Sequence, residues 1–192
     1  MKLLTATDIT HLHEYELERG DFRRRVIELK SRRRIALGSL MTLVFENRDT
    51  VRFQIQEMAR VERIVQPEKV QHELDVYNEL LPGPGQVAAT LFIEITQEAR
   101  VQEVLDGFIG LDEPGHLALT VGAKRYPALF APGQSREDRI SAVHYIRFPL
   151  GEEGRRALVS GAEAALEVAH GDYRARQVLS GETVAELTGD LA

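Results

Sequence analysis

Two glutamates and a histidine are the residues of this chain best placed for chemistry. Glu57 falls inside the apolar arc of Val51, Ile55, Met58, Val61, Ile64 and Val65. Glu73 falls inside that of Val70, Leu74, Tyr77 and Leu81, which Val76 and Leu80 widen. Counted outward from Gln66-Pro67, where one helix must stop and another start, the two carboxylates lie within roughly two turns of the same height on facing arms. Carboxylates brought inward from facing helices are how bundles build metal sites, and a carboxylate in apolar surroundings suits proton transfer. The expectation is a ligand site made by Gln54, Glu57, Glu73 and Tyr77. Glu57, Glu73 and His72 are the candidate ligands of a divalent metal ion. No Glu-x-x-His spacing occurs on either arm, so the diiron pattern is not met. The competing expectation is that both glutamates pair with arginines such as Arg48, Arg60 or Arg147.

Other groups carry weaker signals. His144 alternates with Ala142, Ile146 and Phe148 on one face of an expected strand, which makes it either an inward ligand or a hydrogen-bonded core histidine. Glu68, His72, Asp75 and Glu79 share the polar face of their helix and read as solvated. Seven cations occupy residues 23 to 34, among them Arg23, Arg32, Arg33 and Arg34. They offer a contact surface for an acidic partner or for an acidic helix of the same chain. No phosphate loop, dinucleotide-binding glycine pattern or nucleophile elbow is present, and Pro82-Gly-Pro-Gly85 reads as a turn.

The elements that must position these groups follow from periodicity and punctuation. A short helix capped by Thr7 or Asp8 is expected to end near Gly20, and a second to run from Phe22 to about Leu37. Leu40–Glu46 reads as a strand, Arg48–Val65 as a helix capped by Asn47, and Pro67–Leu81 as its antiparallel partner. Strands are expected over Gln86–Ile95, His116–Val121, Arg125–Phe130 and Ile140–Leu150, with a short helix over Gln97–Phe108. Helix is expected from Gly154 to Ala169 and again after Ser180. The fold class is α+β, a mostly antiparallel sheet of about five strands packed with a helical hairpin and flanking helices. One domain is expected over residues 1–192, with helical segments at 7–37 and 151–192.

Phe45-Glu-Asn-Arg-Asp-Thr-Val51, Gln54-Ile-Gln-Glu-Met58 and the run from His72 to Gly85 resemble an uncharacterised bacterial family, number 3501 among the domains of unknown function. Ile140 to Leu150 is similar too, so the resemblance covers nearly the whole chain. It implies a role near redox or oxidative-stress chemistry, because genes of the family often neighbour those for rubrerythrin-like diiron proteins and cysteine-rich iron–sulfur oxidoreductases. It carries no catalytic residues.

Composition narrows the classes. The 24 Lys and Arg against 30 Asp and Glu give a formal charge of −6, which makes nucleic acid an unexpected partner. Without cysteine the chain cannot hold a thiolate-ligated iron–sulfur cluster or do thiol chemistry. No apolar run is long enough to span a bilayer and the first residues lack a signal peptide's apolar stretch, so a cytoplasmic location is expected. The expected function is that of a redox accessory protein working with an iron–sulfur or diiron partner, binding a metal or small ligand through the hairpin carboxylates. The alternative is a non-enzymatic interaction module docking through the basic helix. Whether the chain catalyses a reaction, and whether it is a homo-oligomer, are not decided by the sequence.

Overall fold

The computed structural model describes residues 1–136 and 139–191. A 3-10 turn (Ala6–Asp8) precedes α1 (Leu12–Arg33), β1 (Arg34–Leu37), β2 (Met41–Glu46), α2 (Arg48–Val61), α3 (Pro67–Asn78) and β3 (Gln86–Ile93). A second 3-10 turn (Glu98–Arg100) leads into α4 (Val101–Asp106), followed by β4 (Leu117–Val121), β5 (Lys124–Pro127), β6 (Leu129–Phe130), β7 (Ser135–Arg136) and β8 (Arg139–Ile140). The chain continues through β9 (Val143–Pro149), α5 (Gly151–Val159), β10 (Ala164–His170), β11 (Tyr173–Val178) and α6 (Gly181–Asp190). The fold is α+β, with a five-stranded antiparallel sheet in the order β1-β2-β3-β9-β6.

A second antiparallel sheet, β11-β10-β4-β5, packs on the first, and β7 and β8 form a small ribbon. Leu43, Phe45, Leu91, Ile146 and Phe148 of the first sheet meet Leu117, Leu119, Leu166 and Val168 of the second in the main core. Tyr173 ties the sheets at one edge, its hydroxyl donating to the Leu37 carbonyl at 2.6 Å and accepting from the Leu40 amide. Because strand side chains alternate, Val44, Glu46, Thr90, Tyr145 and Arg147 fall on the opposite face of the first sheet. That face is the one α1, α2 and α3 cover.

Several expected boundaries moved. No helix ends at Gly20: α1 runs through it, because a mid-helix glycine costs only about 1 kcal/mol. Burying Tyr15, Phe22 and Val26, with Phe22 edge-on to Phe53 of α2, offsets that cost. Arg34–Leu37 is strand rather than helix, since Ile35 and Leu37 alternate inward and pair along β2. The helix expected from Gly154 to Ala169 stops at Val159. Gly161 takes a left-handed backbone (φ 83°), and Ala164–His170 becomes a strand flanked on both sides. The helical segment expected over 151–192 therefore contains the β10–β11 hairpin, turning at Gly171 (φ 53°). Pairing to two neighbours outweighs the helix propensity of the Ala-Glu-Leu composition.

The helical hairpin formed with adjusted ends. Asn47 caps α2 by accepting from the amides of Asp49 and Thr50. The helix closes where the Ile64 amide reaches the Ala59 carbonyl across Arg63 in left-handed backbone (φ 54°). Pro67 opens α3.

Candidate functional site

Between the α2–α3 hairpin and the outer face of the five-stranded sheet lies a cleft of about 640 Å³, within the range of small-molecule sites. Strand alternation sets its floor: Glu46 closes β2, Ala88 and Thr90 come from β3, and Tyr145 and Arg147 from β9. Met58, His72, Glu73, Tyr77 and Leu80 come down from the hairpin, and Leu129, Phe130 and Gln134 close the far side. Glu46, Thr90 and Tyr145 also line a second opening, under α1, together with Gln54, Lys30 and Arg34.

Glu46 is the unusual group. It is 4% exposed, and its donors are all neutral: the Thr90 hydroxyl on Oε1 at 2.6 Å, and the Thr50 hydroxyl and Gln54 amide on Oε2. Among the described residues no ion pair includes it. A carboxylate offers about four acceptor directions, so one on Oε1 stays free. An enclosed carboxylate without a cation is costly, and neutral donors compensate only part of that cost. Gln134 Oε1, enclosed on the far side of the cleft, has no donor among the described residues.

The residues singled out from the sequence divide between places. Glu73, His72 and Tyr77 line the cleft, with Glu73 and Tyr77 half-buried and His72 exposed at its rim. Burial pushes the Tyr77 phenol up, and the charges of Glu73, Tyr145 and Glu62 push it the same way. Gln54 reaches Glu46 from the other opening.

Glu57 is not in the cleft, which corrects the expected pairing with Glu73. It faces α1, where it accepts from the Tyr15 hydroxyl at 2.7 Å and from the Arg19 fork at 2.8 and 2.7 Å, with Arg60 beside it. The Arg19 hydrogen bonds hold its carboxyl at about 2, with the Tyr15 hydroxyl adding to them against the opposing effect of burial. Glu57, Glu73 and His72 therefore do not converge, and among the described residues no group of three or more carboxylate or imidazole side chains is arranged to hold a metal.

His144 stands on the other face of the sheet. It is 1% exposed, its Nε2 is 2.8 Å from the Ser141 carbonyl, and its ring lies edge-on to Phe130. Burial pushes its imidazole down. It is a core histidine, separated from Glu73 and Tyr77 by the sheet.

The basic segment is partly consumed within the chain. Arg33, 1% exposed, forks onto Glu186 and Asp190 of α6, and Arg32 joins Glu186 at 2.8 Å. Of the two expected acidic counterparts, it is the helix of the same chain, α6, that Arg32 and Arg33 meet, so they are not part of a free partner surface. Arg34 pairs with Glu94, while Arg23 stays exposed.

Glu46, Thr90 and Tyr145 were missed. A charge closing an apolar strand reads as a boundary, and the row they form depends on strand register that one strand cannot reveal.

A family model described as "Protein of unknown function (DUF3501)" matches residues 3–191. A crystal structure of a protein of unknown function from Burkholderia pseudomallei is 31% identical in sequence, with a TM-score of 0.92 over 100% of both chains. No curated protein matches the chain.

Proposed function

We propose that this chain, which belongs to the DUF3501 family of proteins of unknown function, is a binding protein for a small organic molecule held in the cleft between the α2–α3 hairpin and the sheet. The observation that carries the reading is Glu46, enclosed at the cleft floor with neutral donors only and one acceptor direction free. Glu57 and Asp190, which tie helices of the fold together, are matched by arginines, Arg19 and Arg33. Glu46 is held for something that is not part of the fold.

Within this proposal the chain is an accessory to redox proteins with iron–sulfur or diiron centres. That role rests on the family resemblance, and the cleft reading does not depend on it. The metal-binding form of the expectation loses its support, because Glu57 is committed to Arg19 on α1. For an acidic partner the remaining basic surface of α1 is Arg23 and Arg25, both exposed, since Arg24 pairs with Asp21.

Thermal-shift screening of a metabolite collection tests the reading. Compounds that raise the melting temperature of the wild-type chain should lose their effect on Ala131→Trp, which fills the cleft from its β6 side. Compounds that stabilise both proteins equally would place the binding site elsewhere.

A further inference from the structure

Several carboxylates outside the cleft are neutralised by arginines: Glu57 by Arg19, Glu186 and Asp190 by Arg33, Glu163 and Glu167 by Arg176. Around the cleft, Glu46, Glu62, Glu73 and Glu79 have no such partner among the described residues. Arg147, the arginine on its wall, donates to the Glu79 carbonyl rather than to a carboxylate.

An acidic rim alone is what many soluble surfaces show. Depth is what distinguishes this one. Glu46 is enclosed at the floor with a free acceptor direction on Oε1, and Gln134 Oε1, enclosed on the far side, has no donor among the described residues. A primary ammonium brings three N–H donors and a positive charge, and so supplies what the Glu46 carboxylate lacks. An anion would enter against four carboxylates, and a neutral ligand would leave Glu46 uncompensated.

The rings of Tyr77 and Tyr145 line the same space, and aromatic faces attract cations. Their hydroxyls have no protein partner among the described residues, so they are free to bond a ligand. Leu80 and Leu129 add apolar wall for a hydrocarbon body.

We infer that the cleft takes an organic cation, an ammonium on a short apolar body, with its N–H groups directed to Glu46 and its body against Tyr77 and Tyr145. This rests on the cleft being a ligand site, and the test separates the two claims.

Three probes share an aromatic body and differ in charge: 2-phenylethylamine, 2-phenylethanol and 3-phenylpropionate. Titrated into the isotope-labelled full chain and followed by NMR, the amine should shift the resonances of Glu46, Tyr77 and Tyr145. It should bind about 10-fold or more tightly than the alcohol, and the acid should not bind. Glu46→Gln keeps the shape and should weaken the amine about 10-fold while leaving the alcohol unchanged. Glu73→Gln, at a half-buried position without an ion-pair partner among the described residues, should weaken it about 2- to 3-fold and carries the test if Glu46→Gln does not fold. Alcohol or acid bound in the cleft as tightly as the amine would overturn the cation assignment and leave the cleft standing. Absence of cleft shifts with all three probes would overturn both.

Discussion

Glu57→Gln should destabilise the chain at neutral pH and become nearly silent in acid. Arg19 and Tyr15 both bond the charged carboxylate, which ties α1 to α2. The carboxyl is held at about 2 against an ordinary 4.5. At ~1.4 kcal/mol for each pH unit, its charged form is favoured in the fold by at most ~3 kcal/mol. The side chain is 23% exposed, so solvent screening reduces the expected loss to ~1–2 kcal/mol. The sign follows from the depressed value: the contribution is complete above 4.5 and fades as pH falls from there towards 2. Urea unfolding of wild type and variant at pH 7 and at pH 3 measures it. The difference should be ~1–2 kcal/mol at pH 7 and clearly smaller at pH 3. A chelator should change neither value. A difference that does not depend on pH, or one that appears only without chelator, would refute the ion-pair account.

Arg33→Ala should cost ~3–5 kcal/mol in denaturant titration, because it leaves Glu186 and Asp190 facing each other near a buried site; Arg33→Met should cost less. His144→Phe should flatten the fall in melting temperature between pH 7 and pH 5, since the imidazole is pushed down by burial. Its contribution is present above the ordinary 6.5 and lost as pH falls through the lowered value. Gly38→Ala should lose ~1–3 kcal/mol in a thermal melt: the backbone there is left-handed (φ 74°), and a Cβ would lie 2.5 Å from the Tyr173 hydroxyl that ties the two sheets.

The helical hairpin was legible because its punctuation is local. Asn47 caps one arm and Pro67 opens the other, and both act within one turn of themselves. The alternation of Val87, Ala89, Leu91 and Ile93 likewise marks a strand without reference to its neighbours. Ala88 and Thr90 on its other face are buried too, so the strand is not half-buried as the alternation implies. Ala164–His170 was not legible, because its helix-favouring composition is overruled by two neighbouring strands distant in sequence. The site shows the same division. Helical periodicity places Glu57 and Glu73 on inward arcs, but it does not say which neighbour each arc meets, and α2 has α1 on one side and α3 on the other. Successive residues turn by 100°, so Met58 lines the cleft while Glu57 faces Arg19. Glu46 and Thr90 come together only through the register that sets Val44 beside Thr90 and Glu46 beside Ala88.

Mass analysis of small molecules released on denaturing the purified wild-type chain and Ala131→Trp, prepared in parallel, tests the ligand-binding cleft most directly. A compound present in stoichiometric amount with wild type and absent from Ala131→Trp is the predicted result, and Glu46→Gln should retain less of it. A compound retained equally by all three proteins would contradict the account, because its site would then lie outside the cleft.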